Sequence, residues 1–214
     1  MNKTEAPIQQ IEILGIPVDK VTKAQALDFF EAFMQEDGLS FIATPNPEII
    51  LAAQKDPEIV RVMKSADLKL PDGTGIVRAS QILGNPVEER VTGIDFSYAA
   101  LQRLAELGKS VFFLGSRPGV AEKAAATLCG QIPALRVAGC RDGYFKAAEE
   151  DDVVREINAS DEARALYCTL ETLQNATEPA ASNAAIRDLI LDNAHSDPAF
   201  PAPLCAHEGD PPSN

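Results

Sequence analysis

Along the first 160 residues, short apolar runs alternate with longer runs in which apolar residues recur at helical spacing. The runs "LSFIATP" at 39–45 and "SVFFLGS" at 110–116 have the length and residue types of buried strands. The run "TKAQALDFFEAF" is typical of an amphipathic helix with Thr22 as its cap. Regular alternation of the two patterns predicts an α/β fold with a Rossmann-like, mainly parallel sheet and helices on both faces.

The pattern changes near residue 170. A last strand is predicted in "ARALYCTL" at 163–170, which completes a domain over residues 1–170. Residues 171–214 contain no lysine and many prolines and alanines. From residue 161 onward there are nine acidic residues and two arginines, so the net charge of this part is −7. Residues 171–214 are therefore predicted to be an atypical acidic Pro/Ala-rich tail that is partly disordered.

Composition narrows the class of protein. The formal charge of −13 argues against nonspecific nucleic-acid binding, which needs clustered lysine and arginine. No apolar run reaches the roughly 18 to 20 residues of a membrane span, and the N-terminus lacks the apolar core of a secretory signal. The 4 cysteines have no CxxC or close Cys/His spacing, so reduced thiols are expected rather than a zinc site or disulfides. A cytoplasmic protein is expected.

Two predicted strands end in polar turns. "FIATPNPEII" at 41–50 and "LKLPDGTGIV" at 68–77 both lead from a strand into a helix. The carboxyl ends of parallel strands are where open α/β sheets bind ligands. Both histidines, His195 and His207, lie in the predicted tail, so a general base in the folded part is expected to be a carboxylate. Asp72, followed by glycines that allow close approach of a ligand, is the candidate.

Each of these positions also has a purely structural interpretation. Asp72 in "PDG" is compatible with a β-turn in which its side chain caps the next helix. Asn46 before Pro47 is a natural helix cap with proline at the first helical position. On pattern alone, a shared ligand crevice that includes Thr44 and Asn46 and a pair of capped turns both remain open.

The turn in "FFLGSRPGVAEKAA" at 112–125 is a candidate anion site. Gly115 and Ser116 lead from a strand into a helix whose free amides and positive dipole end suit a phosphate. Glycines at such turns are also common for steric reasons. "DGTGIVRA" has some likeness to a dinucleotide-binding motif, but Arg78 stands in place of its third glycine. The chain has no P-loop and no DxD pair suited to a sugar-nucleotide metal.

The loop "EERVTGIDF" at 88–96 offers Arg90 and Asp95 around Gly93. An arginine in such a loop can hold a diphosphate without a metal. The structural alternative is a surface ion pair of Arg90 with Glu88 or Glu89, which would contribute little.

Taken in order, the segments "ATPNPEI", "LPDGTGIV", "ERVTGID", "FFLGSRPGVAEKA" and "RDGYF" resemble the WecG/TagA/CpsF family of bacterial glycosyltransferases. The resemblance extends to about residue 160. It implies inverting transfer of N-acetylmannosamine from UDP-ManNAc to undecaprenyl-diphosphate-linked GlcNAc, in teichoic acid, common antigen or capsule synthesis. It further implies a UDP-sugar donor, a lipid-linked acceptor, no cofactor or obligatory metal, and a peripheral location at the inner face of the plasma membrane. A homo-oligomer is compatible with it.

The resemblance also implies residue roles. Asp72 would be the base that takes the proton of the acceptor hydroxyl, and Thr44 and Asn46 would contact the donor sugar or that hydroxyl. Arg90 would bind the diphosphate. The Gly115 turn would receive the nucleotide.

The sequence departs from the family after "ALYCTL". Family members continue with a Gly-x-Pro-x-Gln-Glu segment and a basic, aromatic C-terminal part that docks on the membrane and covers the active site. "TLETLQNATEPAASNAA" has no such motif, so impaired activity is one expectation. A noncatalytic nucleotide-binding or assembly protein derived from the fold is an alternative. An NAD-type oxidoreductase using "DGTGIVRA" is another, which the irregular glycine spacing disfavours.

Overall fold

A computed structural model describes residues 8–35, 38–159 and 166–169. Strands and helices alternate along the chain, as the apolar pattern predicts. In chain order they are β1 (Gln10–Ile13), β2 (Ile16–Asp19), α1 (Lys23–Phe33), β3 (Ile42–Ala43), α2 (Pro47–Ala53), α3 (Pro57–Ser65), β4 (Leu68–Lys69), α4 (Thr74–Ile82), α5 (Gly93–Glu106), β5 (Ser110–Leu114), α6 (Val120–Gln131), β6 (Arg136–Arg141), a 3-10 turn (Ala147–Glu149), α7 (Glu150–Ala159) and β7 (Leu166–Thr169).

The described strands pair in three small sheets. β1 and β2 form an antiparallel hairpin, β3 and β4 form a parallel pair, and β5 lies between β6 and β7 with both neighbours parallel to it. The α/β class is confirmed. The Rossmann-like arrangement of one continuous sheet stays a prediction. The predicted tail at 171–214 lies outside the described residues.

Helix starts follow the local capping signals in the sequence. Thr22 caps α1 in a reciprocal capping box with Gln25. Asp56 caps α3 through the Glu58 N–H, and proline follows it at the first helical position. Gly84, with φ of 72°, follows the end of α4 in the left-handed region that favours glycine. The chain after residue 46 forms two helices, α2 and α3, which Pro57 and the cap residue Asp56 separate from each other.

The larger core joins α1, α5 and α6 to strands β4 and β5. Phe30 of α1 and Phe96 of α5 meet edge to face, with ring centroids 6.2 Å apart. Such a pair adds about 0.5–1.5 kcal/mol beyond the area it buries. This contact fixes α5 by its inner face, so the N-terminal end of α5 has a defined position beside the end of β4.

A second core lies under the hairpin. Ile16 and Val18 of β2 are fully buried with Ile50 of α2 and Ile76 of α4. The helices α2 and α4 are thereby held close together, and both begin at the polar turns identified from the sequence.

A buried carboxylate ties the hairpin to β4. Asp19 is 0% exposed, and its two oxygens accept hydrogen bonds from Gln10 Nε2 at 2.7 Å and from the Lys69 backbone N–H at 2.6 Å. The ammonium of Lys69, also buried, donates to the Ala66 carbonyl oxygen. A buried charge costs much less when it is hydrogen-bonded in this way, so Asp19 can fix the hairpin against the strand that leads to Asp72.

Candidate active site

The two polar turns leave neighbouring parallel strands. Ile42 pairs with Leu68 and Ala43 with Lys69, and the ladder continues with the Leu70 N–H donating to the Ala43 carbonyl at 2.8 Å. The turns that follow therefore emerge side by side at the carboxyl end of this pair. This strand pairing places the two turns next to each other, as a shared crevice requires.

Asp72 is held by the start of α5. Its Oδ2 atom accepts a hydrogen bond from the Gly93 N–H at 3.1 Å, and the neighbouring Pro71 carbonyl accepts one from the Val91 N–H at 3.1 Å. The partial positive charge at a helix N-terminus suits a carboxylate at this place. Asp72 is half-buried, and no other hydrogen bond to its carboxylate is found within the part of the chain that the structure describes.

Thr44 lies in the same cluster. A Cβ atom placed on Gly93 would be 3.2 Å from Thr44 Cγ2 and 3.5 Å from Asp72 Oδ2. Both distances are at or below ordinary van der Waals contact. The absence of a side chain at Gly93 is thus what lets Thr44, Asp72 and the first amide of α5 meet. We call Thr44, Asp72 and Gly93 the carboxylate cluster.

The structural interpretation of Asp72 as a helix cap is wrong. The N-cap of α4 is Gly73, with φ of 90°, and no side chain caps that helix. The Asp72 carboxylate is directed to α5 instead. The Asp72 carboxylate is therefore not needed to cap α4, and this leaves it free of that function if it acts as a proton acceptor.

Asn46 does cap a helix. Its Oδ1 accepts from the Ile49 N–H at 2.9 Å, and the residue is only 5% exposed. The neighbouring Pro47 packs on the other turn: a Cβ atom on Gly73 would lie 3.4 Å from Pro47 Cδ, and one on Gly75 would lie 2.4 Å from Pro47 Cγ. The glycines of "DGTG" thus allow the two turns to approach each other.

Arg90 is exposed just before α5. Glu89 is engaged elsewhere, since its carboxylate accepts from the Lys23 N–H at 3.0 Å at the start of α1. Among the described residues Arg90 has no ion-pair partner, so the alternative of a surface pair with Glu88 or Glu89 is wrong. The guanidinium is available to an anion.

Asp95 stabilises the start of α5. Its carboxylate accepts from the Thr92 hydroxyl at 2.6 Å, and its N–H donates to the same hydroxyl oxygen at 3.1 Å. This reciprocal cap fixes the turn that presents the Gly93 N–H to Asp72. Asp95 therefore acts on the carboxylate cluster indirectly, by fixing the α5 backbone that presents the Gly93 N–H.

The Gly115 turn contacts a different segment. Gly115 has φ of 128° and Ser116 has φ of 63°, a conformation that costs a non-glycine residue energy. The Gly115 N–H donates to the Arg141 carbonyl at 3.0 Å, and the Gly143 N–H donates to the Ser116 carbonyl at 2.9 Å. The turn is thus built together with the "RDGYF" segment after β6.

Sequence reasoning missed two parts of this arrangement. The hydrogen bond between the Gly93 N–H and Asp72 joins residues 21 positions apart, and no local pattern announces it. The close approach of Gly143 to Gly115 was also missed: a Cβ atom on Gly143 would be 3.2 Å from Gly115 Cα. The glycine of "RDGYF" was the available signal.

Within the described ranges, no group of three or more histidine, cysteine, aspartate or glutamate side chains is placed to hold a metal ion. None of the described helices combines the length and hydrophobicity that a membrane crossing requires.

Comparison with known proteins identifies the family of this chain. The model of the glycosyl transferase WecG/TagA/CpsF family matches residues 11–170. The chain belongs to this family. The membership predicted from the ordered motifs is confirmed, and the match includes all of the candidate site residues.

Relatives in the family carry a specific name. The chain is 31% identical over 154 residues to the N-acetylglucosaminyldiphosphoundecaprenol N-acetyl-beta-D-mannosaminyltransferase of Bacillus spizizenii, which is 72% of this chain and 58% of that protein. The proteins of the same name from Bacillus subtilis and Staphylococcus aureus are 29% and 30% identical, over 65% and 69% of this chain. The chain spans 55% to 58% of the length of these three relatives.

Proposed function

We propose that this family member is an inverting glycosyltransferase that moves N-acetylmannosamine from UDP-ManNAc to undecaprenyl-diphosphate-linked GlcNAc in cell-surface polysaccharide synthesis. The observation that carries the proposal is the carboxylate cluster, in which Asp72 is oriented by the Gly93 N–H beside Thr44. The names of the relatives, each an N-acetylmannosaminyltransferase acting with a lipid-linked sugar, support the choice of donor sugar and acceptor.

In the proposed step, a hydroxyl of the acceptor sugar attacks the anomeric carbon of the donor on the face opposite to UDP. Asp72 takes the proton of that hydroxyl as the new C–O bond forms, and UDP leaves with the electrons of the broken bond. The hydrogen bond from Gly93 occupies one carboxylate oxygen and orients the other, so the base is positioned before the acceptor arrives.

The remaining site residues would bind the two substrates, and two of the sites would hold the diphosphate and nucleotide of the leaving group. The exposed guanidinium of Arg90 can neutralise charge on the diphosphate, an interaction that strengthens as negative charge builds up on the leaving oxygen. The turn at Gly115 and Ser116 would receive the nucleotide at the start of α6. Thr44 and Asn46 would contact the donor sugar or the reacting hydroxyl.

The test compares Asp72→Asn with the wild-type chain. UDP release from UDP-ManNAc is measured with a lipid-linked GlcNAc analogue as acceptor. The amide keeps an oxygen for the Gly93 N–H but cannot take a proton, so kcat should fall by about 10² to 10⁴ while KM for the donor changes little. Asp28→Asn, which alters an exposed aspartate of α1, is the matched control and should keep the wild-type rate. Equal rates for Asp72→Asn and Asp28→Asn would remove Asp72 from the mechanism.

A noncatalytic nucleotide-binding protein is the second candidate. It is favoured by the acidic, Pro/Ala-rich composition of residues 171–214, which follow the family match at residues 11–170 and depart from the family pattern. It predicts that UDP-ManNAc binds to the wild-type chain, as measured by calorimetry, with no UDP release. The oxidoreductase alternative has less support, because Gly73 and Gly75 are used for packing against Pro47 rather than left open to a dinucleotide.

A further inference from the structure

Two large apolar side chains are exposed at the N-terminal end of α5. Ile94 is 71% exposed and Tyr98 is 38% exposed. Residues four apart on a helix lie on the same face, and a helical side chain leans toward the N-terminus of its helix. Tyr98 is therefore directed back over the turn that carries Ile94. We call this pair the α5 ledge.

The stability of α5 does not account for the ledge. The core face of the helix consists of other residues, among them Phe96, Leu101 and Leu104, which are buried. The first turn of a helix favours acidic residues, and a β-branched residue has a lower helix propensity than most. An exposed isoleucine at position 94 therefore removes little apolar surface from water on folding. Its place in the first turn does not stabilise the helix either.

The ledge adjoins the carboxylate cluster. Ile94 directly follows Gly93, whose N–H lies 3.1 Å from the Asp72 carboxylate. An acceptor whose reacting hydroxyl lies at Asp72 would have its apolar part within reach of this helix end.

We propose that the α5 ledge, Ile94 with Tyr98, binds the hydrocarbon chain of the lipid-linked acceptor next to its diphosphate. This inference rests on the proposed function and adds the acceptor-lipid contact to it. The isoleucine removes apolar surface of the chain from water. Tyr98 presents an apolar ring with a polar hydroxyl, which suits the boundary between hydrocarbon and head group.

The test uses the double variant Ile94→Ser with Tyr98→Ser. Two acceptors are compared: undecaprenyl-diphosphate GlcNAc in detergent and a water-soluble analogue in which a short alkyl chain replaces the lipid. The double variant should raise KM for the long-chain acceptor about tenfold, the usual scale for losing a small apolar contact. The KM for UDP-ManNAc and the rate with the short-chain acceptor should stay at wild-type values.

Ile82→Ser is the matched control. Ile82 is also an exposed isoleucine, 83% exposed, but it is the last residue of α4, about 12 Å along the helix from the end at the site. A double variant whose KM for the long-chain acceptor equals that of Ile82→Ser overturns the inference. So does an equal loss with both acceptors, which indicates general damage to the site, and so does weaker binding to acceptor-free vesicles, which indicates contact with the bilayer itself.

The failure of this inference can be distinguished from the failure of the proposed function. A wild-type chain that turns over neither acceptor refutes the transferase activity. Binding of a fluorescent undecaprenyl-diphosphate GlcNAc analogue is then the readout. Binding that the double variant weakens and Ile82→Ser does not would still support the ledge. A wild-type chain that does not bind the analogue overturns the inference as well.

Discussion

Replacing Gly75 by alanine tests the close contact between the two polar turns. The added Cβ atom would lie 2.4 Å from Pro47 Cγ and 3.4 Å from Pro47 Cβ. Carbon atoms in contact are normally about 3.5–4.0 Å apart, so the nearest pair overlaps by about 1 Å. Pro47 is a rigid ring at the first position of α2, and it cannot rotate away as a flexible side chain would. The start of α2 or of α4 must shift.

Two effects oppose each other in this variant. Overpacking of a well-packed contact costs about 1–3 kcal/mol, whereas alanine in place of glycine within a helix stabilises by about 0.5–1 kcal/mol. With an overlap this large, the clash should dominate and leave a net loss of about 1–2 kcal/mol in the free energy of unfolding. The shift also moves the turn that carries Asn46 relative to Asp72. A displacement of about 1 Å in a catalytic arrangement can reduce the rate by about 10²-fold.

Urea unfolding followed by circular dichroism measures the first effect, and UDP release measures the second. Gly130→Ala is the matched control, because Gly130 lies within α6 and an added Cβ atom there would meet no atom within 4 Å. This control should gain stability, as expected from helix propensity alone. A Gly75→Ala variant as stable as Gly130→Ala would refute the claim that the turns are packed in contact through this glycine.

Two further predictions concern β6. Gly139→Ala should lower the free energy of unfolding by about 1–3 kcal/mol, because the new Cβ atom would lie 2.5 Å from Cε2 of the buried Phe112 ring. Urea unfolding measures this loss, and an unchanged midpoint would contradict it. The pKa of the Cys140 thiol is raised above its ordinary value of 9.0. Burial is the largest cause, followed by the nearby Glu122 carboxylate and Cys129. The unfolded thiol therefore loses its proton first, so this contribution to stability is full below pH 9 and is lost as pH rises through the raised pKa. Cys140→Ala should show a smaller loss of stability above pH 9 than wild type in unfolding measured across pH, and parallel curves would contradict the assignment.

The helices and their starting points follow from the sequence because the signals that define them are local. Thr22 and Asn46 cap the helices that their neighbours predict, and proline follows Asn46 at the first helical position. The alternation of strand and helix patterns likewise gives the α/β class. Each of these inferences depends on residues within about one helical turn of each other.

The choice between structural and chemical roles at the polar turns needed the tertiary structure. "PDG" alone is compatible with Asp72 capping α4, and only the position of α5 shows that the carboxylate accepts a hydrogen bond from Gly93 instead. Asn46, in contrast, does cap α2, although it also lies beside the turn that carries Asp72. Sequence alone could not separate these two cases, since both residue types are good helix caps.

The family and the candidate residues could thus be predicted from the sequence, because motifs and capping signals consist of residues that are close together in the chain. The arrangement of the site was decided by tertiary structure alone. The Gly93 contact with Asp72, the packing of Gly75 on Pro47 and the Asp19 link to β4 all join segments far apart in the chain. Such contacts exist only after strand pairing and core packing have brought those segments together, and glycine leaves no side-chain pattern by which they could be found beforehand.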